Sequence, residues 1–218
     1  MKGLLIKDVK LMKNQMMFFV AIIFMSIAFS AMWKNPFFAM GYATVLVSMF
    51  TISTISYDDY ENGMAYLFTL PVSRRDYVME KYLFGTLSTL LALVAAAAIS
   101  FGIGAVQKVG FGMDEFVSVA AMSLVLASFM LAFSLPVQLK FGAERSRVAL
   151  ILIIGIAALI GFLTVKATEA AGVDLEAVLD GLFQDSLARV FIIFVLIGVV
   201  LLAISYQVSV RIMEKKEL

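Results

Sequence analysis

YDDYENGMAYLFTLPVSRRDYVMEKY, residues 57–82, lies between two long apolar runs, 37–56 and 82–106. Its eight charged residues are Asp58, Asp59, Glu61, Arg74, Arg75, Asp76, Glu80 and Lys81. An Asp, Lys or Arg at the centre of a bilayer costs about 2.5–3.5 kcal/mol. Six of the eight are of those types, so immersing the segment would cost on the order of 15–20 kcal/mol. The segment therefore stays in water, and the apolar runs beside it become candidates for crossing the membrane.

The rest of the chain repeats that pattern. It has 218 residues, of which 62% are hydrophobic and 15% charged, with mean hydropathy +1.00. Soluble domains are about 45–50% apolar and about 25% charged. Six runs lack internal charge: 16–33, 37–56, 82–106, 116–137, 148–165 and 190–208. About 20 helical residues cross the roughly 30 Å hydrocarbon core. Barrel strands are shorter and alternate in polarity, whereas these runs are apolar all round. The expected fold is an all-α membrane protein, a single transmembrane domain over 1–218 with six spans. Lys and Arg number thirteen on the side holding both termini, the 57–81 loop and the loop after 137, and four on the other. The positive-inside rule puts the richer side in the cytoplasm.

Residues 1–15 are basic and periodic. Leu5, Val9, Met12 and Met16 recur at helical spacing, while Lys7, Lys10 and Asn14 fall on another face. This predicts an uncleaved amphipathic helix lying on the anionic inner leaflet. Residues 166–189 are acidic. Val178, Leu179, Leu182 and Phe183 there predict an external amphipathic helix.

Several chemistries are excluded or unsupported. The chain has no Cys and no His, so thiolate catalysis, Cys-ligated metals and the usual general base are unavailable. It lacks a GxxxxGKS/T loop and so does not bind ATP in that manner. No catalytic, cofactor or metal site is expected, and nothing points to nucleic acid. Proton relays use intramembrane charges, and none lies within a span.

The 57–81 loop has its own pattern. Met64, Leu67 and Phe68 follow helical spacing between Gly63 and Pro71. Proline cannot continue a helix. Ser73 and Asp76 then have the spacing of a capping box for a second helix entering the third span. The apolar face of the short helix either tucks against its own bundle or docks into a groove on a soluble partner. Thr44, Ser48 and Thr51 form a hydroxyl stripe in the second span. It can line a translocation path, or its hydroxyls can bond neighbouring helices or their own carbonyls.

The run from Glu61 to Tyr82, with its Leu-Pro-Val-Ser-Arg turn, resembles the first cytoplasmic loop of type-2 permease subunits of bacterial ATP-binding-cassette exporters. LPVQLKFGAERSR, residues 135–147, resembles the loop between their fourth and fifth spans. MKGLLIKDVKLMKNQ, residues 1–15, resembles their N-terminal elbow helix. In pattern the chain looks like the small six-span members grouped with peptide and toxin exporters. The resemblance implies a plasma-membrane permease with a coupling helix, paired with a second permease copy or homologue and two cytoplasmic ATPases. Those ATPases would hold the ATP and Mg. It assigns Gly63, Met64, Leu67, Phe68, Leu70 and Pro71 to the ATPase-coupling element, and Ser73, Arg74 and Arg75 to the turn after it. It also implies that Arg74 or Arg75 pairs with acidic groups of the ATPase. Peptide or drug efflux is the activity it implies. The alternative is a non-transporting membrane anchor or sensor that recruits a soluble partner through the same loop.

Overall fold

A computed structural model describes residues 2–60, 63–107, 112–170 and 187–216. The secondary structure of these residues is helical throughout, with no strand. The elements are α1 (Lys2–Asn14), α2 (Met16–Met32), α3 (Phe38–Asp59), α4 (Gly63–Leu67), α5 (Arg74–Gln107), α6 (Met113–Ala170) and α7 (Leu187–Lys215).

Four of them contain stretches long and apolar enough to cross a membrane: Phe38–Asp59, Arg74–Gln107, Glu115–Gly142 and Val195–Lys215. The α1–α2 pair, bent by 62°, raises the number to as many as five. Residues 148–165, the expected fifth span, are helical and lie in α6 beyond a break at Gly142. Gly142 has φ +73° and ψ −178°, a backbone region open essentially only to glycine. The external helix expected around Val178 to Phe183 lies outside the described residues.

The turn between α2 and α3 is closed by side chains. The Phe37 N–H donates to Asn35 Oδ1 at 2.9 Å, and the Ala39 N–H to Ser30 Oγ at 3.1 Å. Two orphan donors at the start of α3 are thereby satisfied. α3 is the central helix. Its apolar window is 56% buried, against 28% or less in the other three candidate spans. Gly85 of α5 allows the close approach: a Cβ there would sit 3.0 Å from both Thr51 Oγ1 of α3 and Leu131 Cδ2 of α6.

α6 continues helical through Pro136. Proline has no N–H, so the carbonyl four residues back, that of Ala132, loses its usual donor. The Ser205 hydroxyl of α7 donates to that carbonyl. Ser205 Oγ also lies 2.5 Å from the Tyr82 hydroxyl of α5, which lies 2.9 Å from Ser209 Oγ. One orphaned backbone group thus becomes a polar tie between α5, α6 and α7. Backbone groups freed by proline within a bilayer need such partners.

The core forms two apolar clusters. One joins Ile22, Met40, Ala43, Val47 and Ala96. The other joins Leu4 near the N-terminus, Ile55, Met64, Tyr77, Leu135 and Met213 near the C-terminus. Both termini and α4 therefore sit at the same end of the bundle, in agreement with the charge distribution. At 1.5 Å per residue α5 is about 51 Å long, well over the roughly 30 Å hydrocarbon core, so its first turns project from the bilayer at that end.

Candidate functional site

The projecting end gathers α1, the last turn of α3, α4, the first turns of α5 and the last turn of α7. Among the described residues of 57–82 the charges go there, Asp58, Glu80 and Lys81 into one cluster with Lys7 and Asp8, and Asp59, Arg74 and Arg75 to partners at the end of the chain.

At the centre of that cluster is Lys81. It is fully buried, and its ammonium donates to Asp8 of α1 at 2.5 Å and to Thr54 Oγ1 of α3 at 3.0 Å. It also pairs with Asp58 at 2.8 Å and lies 5.3 Å from the Tyr77 ring centroid. The Tyr77 hydroxyl donates to Asp58 at 3.0 Å, and Lys7 pairs with Asp58 from the other side. Glu80, also buried, stands 3.8 Å from Lys81 and accepts no hydrogen bond among the described residues. A buried ammonium needs pairing and hydrogen bonds to offset its desolvation, and Lys81 has both.

Asp8 is what the sequence reasoning missed. Periodicity put Leu5, Val9, Met12 and Met16 on the apolar face of α1. The face that packs is turned by one position, with Leu4 and Asp8 buried and Val9 and Met16 exposed. A lone acid four residues after a leucine, and adjacent to Lys7, was the available signal. It became meaningful only once α1 lay against α5.

α4 starts where α3 stops. A Cβ on Gly63 would come within 2.8 Å of the Asp58 carbonyl oxygen, so only glycine fits this reversal. Met64 is buried, and Leu67 and Phe68 pack against the cluster around Tyr77. The Phe68 and Tyr77 rings meet edge to face at 5.7 Å. The apolar face of α4 thus turns inward to its own bundle. Outward point Tyr66 of α4 and, in the turn that follows it, Leu70 and Pro71, with Tyr66 73% and Leu70 49% exposed.

The capping at Ser73 is as expected on one side. The Asp76 N–H donates to Ser73 Oγ at 3.0 Å, and the Ser73 hydroxyl donates to the Asp76 carboxylate at 2.7 Å. Arg74 and Arg75 find partners within the chain. Arg74 Nη1 donates to the carbonyls of Met213 and Glu214, each at 2.9 Å, and so caps the end of α7. Arg75 pairs with the Glu214 carboxylate at 2.7 Å. Lys216 approaches Asp59 at 3.6 Å and Met64 Sδ at 3.6 Å. Four helices and both chain ends are thereby tied to the short loop.

The hydroxyl stripe is buried inside the protomer. Thr44 donates to the Met40 carbonyl at 2.6 Å and Ser48 to that of Val45 at 2.7 Å. Thr51 Oγ1 is buried without a hydrogen-bond partner among the described residues, facing Gly85. Among the described residues, no group of three or more acids could hold a metal ion.

Comparison with known proteins found no curated protein and no solved structure that matches the chain. The family model described as ABC-2 family transporter protein matches residues 3–214. That match takes in α1, the charged junction, every candidate span and nearly all of α7. The chain therefore belongs to the ABC-2 transporter family and is a multi-pass membrane permease of the ABC transporter type.

Proposed function

We propose that this permease is the membrane subunit of an ATP-driven exporter, and that a separate cytoplasmic ATPase moves it through the 57–81 loop. The observation that carries the reading is the division of α4 and the turn after it, residues 63–71, into two faces. Met64, Leu67 and Phe68 hold it to the bundle, while Tyr66, Leu70 and Pro71 face away from it. An aromatic and a leucine on a short exposed element suit insertion into a groove of a soluble partner. The inward face and the Ser73–Arg75 turn would pass a displacement to α3, α5 and α7. Gly63 would serve by permitting the reversal rather than by contact.

In this reading a second permease copy or homologue completes the translocation path. Thr44, Ser48 and Thr51 would reach that path only when α3 parts from α5 and α6. ATP and Mg would bind in the ATPase partner. The resemblance to peptide exporters favours an amphipathic or hydrophobic cargo moved outward, from a bacterial plasma membrane with both permease termini in the cytoplasm.

The test is co-expression with the ATPase encoded nearest to its gene. Tyr66→Asp with Leu70→Asp should leave permease yield intact and reduce co-purified ATPase about tenfold or more, the loss of roughly 1.4 kcal/mol of interface energy. Leu67→Asp should instead lower the yield of the permease itself. Wild-type assembly by the Tyr66/Leu70 variant would overturn the docking assignment.

A further inference from the structure

Between α6 and α7, at the same end as α4, is an open groove of about 530 Å³. Its floor is apolar, formed by Leu139, Val208 and Ile212, and its walls carry Lys140, Arg211 and Lys215. The volume falls within the roughly 300–1,000 Å³ of small-molecule sites. Lys140, Arg211 and Lys215 are exposed, and none has a carboxylate partner among the described residues. The nearby acids are already engaged, Glu214 by Arg75 and Asp59 by Lys216. The groove is thus a cationic site with no anion supplied by the chain's described residues.

Its depth argues for the source of that anion. The Tyr82 hydroxyl meets Ser205 and Ser209, so these serines lie level with the start of the third span. Val208 sits at that level, and Arg211 and Lys215 follow one and two turns further out. In the other direction, Ile193, Ile197, Val200, Ile204 and Val208 line one face of α7, each 43–56% exposed. The stripe is about 22 Å long at 1.5 Å per residue, more than one leaflet of a roughly 30 Å core. An apolar track as deep as a leaflet, ending in a cluster of cations at the interface, has the shape and charge sequence of a phospholipid. Basic pockets between helices at the cytoplasmic side bind acidic headgroups in this way. A soluble acidic partner or a free anion could meet the cations but would make no use of the apolar floor and the track that continues below Val208.

We propose that this groove binds one anionic phospholipid, its phosphate held by Arg211, Lys215 and Lys140 and an acyl chain laid along the α7 stripe. The site does not depend on transport direction or on how the ATPase docks.

The full-length permease, purified with its ATPase in neutral detergent, is titrated with phosphatidylglycerol, phosphatidylcholine or inorganic phosphate, and bound molecules are counted by native mass spectrometry. Wild type should retain phosphatidylglycerol over phosphatidylcholine and show no saturable binding of inorganic phosphate. Arg211→Gln with Lys215→Gln should weaken phosphatidylglycerol roughly 30-fold, the effect of two interfacial cations. Arg211→Lys with Lys215→Arg should restore it. Lys215→Gln alone, at the exposed end of α7, should give an intermediate loss and serves if the double variant does not fold. Unchanged phosphatidylglycerol binding in the Gln variants would overturn the proposal. So would equal binding of phosphatidylcholine, tight binding of inorganic phosphate alone, or loss of a protein subunit with lipid retained, which would make the groove a protein interface.

Discussion

Replacing Lys81 with methionine tests the charged junction directly. The substitution keeps most of the side chain's length and removes the ammonium. Lys81, Asp8 and Glu80 are each 0% exposed, and Asp58 is 9% exposed. The cluster holds three carboxylates, Asp8, Asp58 and Glu80, against two ammoniums, Lys7 and Lys81, so its formal charge is −1. Lys81→Met takes it to −2 and leaves Asp8 with only the longer contact to Lys7, at 3.4 Å. Removing one partner of a buried pair costs about 3–5 kcal/mol. Adding Asp8→Leu returns the formal charge to −1 and leaves Asp58 with Lys7 and Tyr77. Replacing a whole buried pair with apolar residues is often close to neutral. The double variant should therefore recover most of the loss, with a coupling energy of about 2 kcal/mol or more, at the upper end for residues in direct contact. The assay is reversible unfolding in mixed micelles, followed by the fluorescence of Trp33. That residue stacks on Phe29 at the far end of α2, away from the mutations. A cost below about 1 kcal/mol for Lys81→Met, the range of exposed pairs, would refute the burial argument. Simple additivity of the two single losses would refute the pairing.

Two further measurements address how the junction is tied to the spans. Gly142→Ala places a side chain at φ +73°, with its Cβ 2.8 Å from Asp59 Oδ2. The carboxylate can swing aside but the backbone strain stays, so a loss of about 1–3 kcal/mol is expected in the same unfolding assay; wild-type stability would mean that the bend in α6 does not need glycine. Arg74→Ala removes two charge-assisted bonds to the carbonyls of Met213 and Glu214. It should speed amide exchange across the last turn of α7 by roughly tenfold or more, since bonds to charged groups contribute about 1.5–3 kcal/mol. Unchanged exchange there would show that the α7 terminus is capped by other groups.

The membrane class and the capping at Ser73 were legible in the sequence alone, and the charge count set residues 57–81 apart from the apolar runs beside them. Each rests on local physics: the transfer cost of a charge, the length of an apolar run, and a hydroxyl three residues before the N–H it accepts. The shared end of the two termini and the loop was legible as well, because lysine and arginine counts need only the order of the runs. The direction of α4 was not. Periodicity identified Met64, Leu67 and Phe68 as one face but left open whether that face turned to the bundle or to a partner. The cluster around Tyr77 takes it inward, leaving Tyr66 and Leu70 outside. The hydroxyls of Thr44 and Ser48 were visible as a stripe, and the packing of α3 at the centre of the bundle turned them to their own helix's carbonyls.

The partner of Lys81 was the least legible of all. Asp8 is 73 residues away, and its value depends on α1 folding back on α5 with its apolar face turned by one residue. Composition and spacing determined that this is a helical membrane protein with a patterned polar loop at its charged end. The tertiary structure alone decided which of those charges are buried and paired, because the desolvation and pairing of a charge depend on the neighbours that helix packing brings to it, and those neighbours are far away in the chain.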